Sequence, residues 1–454
     1  MKKSKNYIFY IVIIILAGLL VAGYLINKKN SASKKNEIFN LRKQFKVKNT
    51  QISNIQKYFL ELDQNINNIA NPESINFIQI ESEKKLKGFK NLQISKYKTE
   101  DILFSANIMA LGSGYIDFYN NENELILGTY DGIFAISDFD NLTKFSKIKS
   151  NVSDLIKYEK FYISDQYGVK DILVDNDILY VSVIGEKEKN CYNLKILKSK
   201  INKEFLNFEV FYKTPGCVNK NNDHEFYAHQ GAGGRMFKKN SSILFTTGEF
   251  RNRPLAQNKE NFYGKILDIN ILTKKTKIVS LGHRNPQGLY YSSKYNFIIS
   301  TEHGPKGGDE ININHNPQEK IKNFGWPISS YGDHYRKNYT KEKLGQAPLN
   351  KSHKKYGFIE PIKYFVPSIG ISEIVPFTNE DNEFLIGAMG SEISENDLSL
   401  HYIKLDNKRK KVVKHKYVLL NERIRDMIIS KDKQKIILFL ETSSSIGVIQ
   451  KIND

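Results

Sequence analysis

Residues 7–26 read YIFYIVIIILAGLLVAGYLI, an uncharged apolar run between Lys2, Lys3 and Lys5 on one side and Lys28 and Lys29 on the other. As a helix it crosses a hydrocarbon core of about 30 Å, so residues 1–30 are expected to form a membrane anchor. The small Ser31-Ala32-Ser33 stretch leaves a cleaved signal peptide as the alternative. Either way the remainder is exported, with the basic start kept inside. Residues 31–84 are polar with spaced apolar positions (Phe39, Leu41, Phe45, Ile52, Ile55, Phe59). This partly helical spacing predicts a short stalk. From about residue 120 the period changes. A short apolar strand followed by a second strand recurs at 124–137, 178–201, 242–270, 296–314, 383–406 and 435–452. Such pairs cannot cover both faces of their own sheet, and stacking them in a ring does. Residues 85–454 are therefore expected to form an all-β, six-bladed β-propeller, with a loop-decorated β-sandwich as the alternative. The segments 214–235 and 315–360 exceed simple turns, and loops of that length are usually functional.

Composition adds to this in three places. Among aromatics, 26 Tyr and 27 Phe stand against one Trp, a bias toward strands. Lys plus Arg number 68 against 49 Asp plus Glu, for a net charge of +19. The lysines are scattered and no basic helix carries interleaved aromatics, so a solvated basic surface is expected and no nucleic-acid partner. The two cysteines, Cys191 and Cys217, lack zinc-site spacing. They either pair in an oxidising compartment or stand as core thiols.

Four loop motifs carry candidate chemistry: 227–235 (YAHQGAGGR), 282–289 (GHRNPQGL), 301–310 (TEHGPKGGDE) with 323–327 (NFGWP), and 423–426 (RIRD). His229, in a glycine-rich loop, has the chemistry of a proton acceptor near neutral pH, or hydrogen-bonds loop carbonyls. Arg284 beside Asn285 offers a fork plus an amide for a planar polyanion, or a salt bridge that pins the loop. Gly304 and Pro305 offer carbonyls in a tight turn with Asp309 and Glu310 behind them, an oxygen-only set suited to Ca²⁺, or a solvated acidic turn. Arg423 and Arg425 alternate and so share one face of a strand, where an anion or a salt-bridge ladder is expected. A GxSxG elbow, a P-loop, HExxH and a Rossmann fingerprint are all missing from the sequence, which argues against hydrolase, ATPase, metalloprotease and nicotinamide chemistry.

In this order the motifs resemble the soluble quinoprotein glucose/sorbosone dehydrogenase family, over roughly residues 100–454 and most strongly over 225–335. The resemblance implies a six-bladed propeller using pyrroloquinoline quinone (PQQ) and Ca²⁺ to oxidise an aldose-type sugar to its lactone. It implies Arg284, Arg423 and Arg425 on the cofactor's carboxylates, with Asn285 hydrogen-bonding it and Gln166 as a further contact. Gly304 and Pro305 would hold the catalytic Ca²⁺, Glu310 a second Ca²⁺, and His229 would take the proton from the anomeric hydroxyl as hydride passes to the quinone. A respiratory electron acceptor is implied, with the propeller in the periplasm on a single-pass inner-membrane anchor of a bacterium. The chain departs from the pattern at Ala228, where some relatives have an acidic residue, and at Gly390, where some place a lysine. It departs again in the glycine-rich HQGAGGR loop and in PSIGISE. These departures sustain the alternative of a non-catalytic propeller that binds a glycan or a protein partner.

Overall fold

A computed structural model describes residues 73–89, 91–101, 103, 110–156, 168–220, 231–335, 339–390 and 397–452. The expected anchor, most of the expected stalk, Gln166 and His229 lie outside these residues. Among the described residues no helix is long and apolar enough to cross a membrane.

The described chain is all-β and propeller-like. Every expected strand pair is present, for example Glu124–Thr129 with Phe134–Asp138 and Lys435–Leu440 with Ser445–Lys451. Each pair forms the middle of an antiparallel four-stranded meander. The middle strands are apolar because they are covered on both faces; Glu124–Thr129, Ser242–Thr247 and Phe297–Glu302 are buried throughout. The first strands are Gly114–Tyr119, Gly168–Asp175, Gly233–Lys239, Pro286–Ser292, Ile371–Pro376 and Ile424–Ile429. They neighbour one another in cyclic order, the last returning to the first. Five hydrophobic clusters fill the spaces between successive meanders.

The domain boundary expected at residue 85 moves. Ser74–Lys85 is a strand, paired with both Leu92–Thr99 and Lys144–Ser150. Its first half buries Ile75 and Phe77, and this alternation supports a strand rather than a stalk. Leu92–Thr99 in turn pairs with Ser445–Lys451 as the fourth strand of the last meander. The two ends of the described chain thus close one continuous sheet, which removes an exposed edge.

Carboxylates on the first strands fasten neighbouring meanders through backbone N–H groups. Asp117 accepts from Val174 N (2.7 Å), Asp171 from Met236 N (2.6 Å), Asp426 from Ile116 N (2.8 Å) and Glu373 from Leu289 N (3.2 Å). Five of the six first strands also slip register at a bulge, near Lys170, Gly234-Arg235, Gln287, Ser372-Glu373 and Arg425. A bulge re-aims side chains that a regular strand would turn into the sheet interface. Lys170, Arg235, Glu373 and Arg425 stand at four of these positions.

Candidate active site

The site is built where first strands begin and second strands end. Pro286 is registered with Glu302, and Ile424 with Leu440, so Arg284, Asn285, Gly304 and Arg423 all flank the same end of their meanders.

Arg423 and Arg425 do share a face, and the anion between them belongs to the protein. Glu441, fully buried, accepts from Arg423 Nε at 3.1 Å on one oxygen. Its other oxygen accepts from Arg425 Nε at 2.5 Å and Ser113 Oγ at 2.6 Å. Burial alone would raise the Glu441 carboxyl, but Arg425 and Arg423 hold it down at about 2. Two guanidinium groups on one carboxylate leave this centre with excess positive charge. Arg423 also donates to the carbonyls of Met389 and Gly390, holding the loop where Gly390 stands.

A relay of amides ties this centre to the second motif. Arg425 reaches Gln287 Oε1 at 3.5 Å, and Gln287 Nε2 donates to Asn285 Oδ1 at 3.0 Å. Asn285 Oδ1 also accepts from Gly233 N at 3.0 Å. Arg284 turns the other way. Its guanidinium donates to His303 O at 2.9 Å and lies over the Trp326 ring, 5.5 Å from its centroid. Its backbone N–H donates to Glu302 at 2.8 Å.

Arg284 and Gly304 line one pocket with Glu302, Glu310, Trp326 and His353. A Cβ on Gly304 would meet the Gly308 carbonyl oxygen at 2.2 Å and the Gly307 oxygen at 2.5 Å. Only glycine lets this turn crowd its neutral oxygens together. Pro305 is buried against Gly332. Glu310 has partners of its own: Asn312 Nδ2 donates to it at 3.3 Å and His353 Nε2 lies 3.0 Å away. Burial raises the Glu310 carboxyl, and His353 is raised by Glu310 against the pull of its own burial. Among the described residues no group of three or more His, Cys, Asp or Glu side chains is placed to hold a metal ion.

The structure adds residues the motif reading passed over. Arg235 lies within 2.7 Å of both Asp171 and Asp426 and 2.5 Å from Glu373. Burial raises the Asp171 carboxyl and pushes Glu373 up to about 7. Glu441, Glu302, Lys170 and His353 also carry the site and belong to none of the roles assigned from sequence. Five buried acids stand at or just beyond the ends of second strands (Asp131, Glu186, Glu249, Glu302 and Glu441), a repeat visible in the sequence in five of the six runs.

This end of the ring gathers cations, amides and crowded carbonyls from separate meanders, the composition of a ligand site in a propeller-like protein. The chain belongs to the glucose/sorbosone dehydrogenase family, whose description matches residues 140–449. It is 31% identical over 243 residues to aldose sugar dehydrogenase YliI of Escherichia coli (strain K12), covering 49% of this chain and 59% of that protein. The chain spans about half the length of the curated relatives it matches. The solved soluble aldose sugar dehydrogenase of E. coli in its apo-form superposes with a TM-score of 0.61 at 18% identity, over 79% of this chain and 100% of that one. The holo PQQ domain of pyranose dehydrogenase from Coprinopsis cinerea gives 0.50 at 10% identity, over 81% and 97%. At those identities the two structures speak to fold.

Proposed function

We propose that the six meanders are the blades of a closed propeller and that the chain is a PQQ- and calcium-dependent dehydrogenase, oxidising an aldose-type sugar to its lactone. The observation that carries this reading is the Glu441 centre, where two buried arginines share one carboxylate. Its excess charge fits a ligand bearing several carboxylates. The oxygen-crowded turn at Gly304 fits a hard cation such as Ca²⁺.

In this reading Arg284, Arg423 and Arg425 hold the cofactor's carboxylates, and Asn285 and Gln166 hydrogen-bond its ring system. The carbonyls of Gly304 and Pro305 take the Ca²⁺, and Glu310 serves a second Ca²⁺ in exchange for its contact with His353. When bound, PQQ supplies the two-electron acceptor and Ca²⁺ the Lewis acid. His229 accepts the proton of the anomeric hydroxyl. Trp326 and the buried guanidinium groups exclude water and fix orientation. Electrons then pass to a respiratory acceptor. We place the domain in the bacterial periplasm on the apolar segment 7–26. The Cys191–Cys217 disulfide supports an oxidising compartment. The similarity to sugar dehydrogenases supports the sugar substrate.

Reconstitution with PQQ and Ca²⁺, followed by dye reduction over a panel of aldoses, tests the reading. It predicts turnover on at least one aldose, lost in His229→Ala. Bound quinone without turnover on any sugar would favour the second reading, a non-catalytic propeller binding a glycan or protein. One observation supports that second reading: Arg423 is already engaged by Glu441 and by the carbonyls of Met389 and Gly390.

A further inference from the structure

The turn that crowds its oxygens together at Gly304 is held by a carboxylate that does not line the pocket. Asp309 opens the strand Asp309–His315 and is only 1% exposed. One of its oxygens accepts from Gly304 N at 3.0 Å, with His303 Nδ1 3.8 Å away. The other accepts from Ile369 N at 3.1 Å and Ile371 N at 3.0 Å, where the next meander begins.

The peptide unit between His303 and Gly304 is therefore gripped on both sides. Its N–H meets Asp309, and its carbonyl accepts from Arg284 at 2.9 Å. A peptide unit is planar, so these two contacts fix the plane from which the Gly304 carbonyl departs. The second oxygen of Asp309 leads toward the arginines. Ile369 O accepts from Gly390 N at 2.9 Å, and Arg423 donates to the carbonyls of Met389 and Gly390. Asp117, Asp171, Asp426 and Glu373 also bind backbone N–H groups of a neighbouring meander. Asp309 differs from those four in binding the pocket's turn as well.

We infer that Asp309 is a positioning residue of the site, which orients the carbonyls of the Gly304 turn for a divalent cation without touching that cation. This rests on the Ca²⁺ reading above, and the test separates the two. In Asp309→Asn the amide oxygen still accepts from Ile369 and Ile371, while the NH₂ faces the Gly304 N–H, donor against donor. The purified full chain is mixed with excess PQQ and titrated with Ca²⁺, following the quinone's visible absorbance, and the ligand-free protein is melted in parallel. Wild type saturates. Asp309→Asn needs roughly 10- to 100-fold more Ca²⁺, the loss expected when a ligand's outer support is removed, and reaches the wild-type signal once Ca²⁺ is in excess. Its ligand-free melting temperature falls by no more than a few degrees. An unchanged Ca²⁺ requirement overturns the inference and leaves the PQQ reading standing. So does a deficit that no Ca²⁺ concentration repairs, or a ligand-free Asp309→Asn protein that melts far below wild type, since Asp309 would then serve the fold alone. A wild type that binds no PQQ, or binds it without regard to Ca²⁺, overturns both.

Discussion

Two arginine centres lie in the same core and are charged in opposite senses. At Arg235 one guanidinium meets three carboxylates, Asp171, Asp426 and Glu373. At Glu441 one carboxylate meets two guanidinium groups. The first is acid-rich, so burial wins and Glu373 titrates high. The second is cation-rich, so the arginines win over burial and Glu441 titrates low. Both are ion clusters by distance, and the stoichiometry separates them. The Arg235 cluster is saturated by the protein and ties four first strands together. The Glu441 cluster has two cations on one acid, and in the proposed function that surplus meets the cofactor's carboxylates. A buried arginine alone is thus no sign of a ligand site; what counts is how many acids its own fold supplies.

The largest effect is expected at the saturated centre. Arg235→Met strands buried carboxylates and should cost about 3–5 kcal/mol of stability, read by chemical denaturation. A loss below 1 kcal/mol would mean the cluster does not staple the ring. Arg425→Ala should divide differently. Glu441 keeps Arg423 and Ser113, so ligand-free stability should fall by about 1–3 kcal/mol, while PQQ affinity falls about 100-fold or more, equivalent to roughly 2.7 kcal/mol. The pH dependences should then oppose each other. The Glu441 carboxyl is lower folded than unfolded, so its contribution is complete above its ordinary value of 4.5 and is lost as pH falls toward about 2. Glu441→Gln should flatten the acid limb of a stability–pH curve. The Glu373 carboxyl is higher folded than unfolded, so its contribution is present below 4.5 and disappears as pH rises through about 7. Glu373→Gln should remove that neutral-range slope, the smallest of these effects.

The contrast also explains what the sequence made legible. Runs such as ELILGT and KIILFL were readable because middle strands are buried on both faces and confine charge to their first residue. The first strands were not. GVKDILVD, GGRMFKK and IRDMII mix charge with apolar residues, and bulges break the alternation that would mark them. The outer strands, such as VVKHKYVL, are largely exposed and look like surface loops. At the site, the Arg-Asn and Arg-x-Arg pairs announced cations, but nothing local to Arg423 or Arg425 announced Glu441, which arrives from the next strand of the meander. A comparison across the six repeats would have found it, since an acid closes the second strand in YVSVIGE, FTTGE, IISTE and ILFLE alike. Lys170 was hidden for a related reason, because lysine on a short strand reads as a solvated face until a bulge turns it inward.

The most direct test is an equilibrium titration of PQQ, with Ca²⁺ present, into wild type and Arg425→Ala, each melted alongside without ligand. The account predicts saturable binding by wild type and its loss in Arg425→Ala, whose ligand-free melting temperature falls only by the few degrees that about 1–3 kcal/mol implies. Equal affinity in the two proteins would contradict it, because the surplus of charge at Glu441 would then serve no ligand.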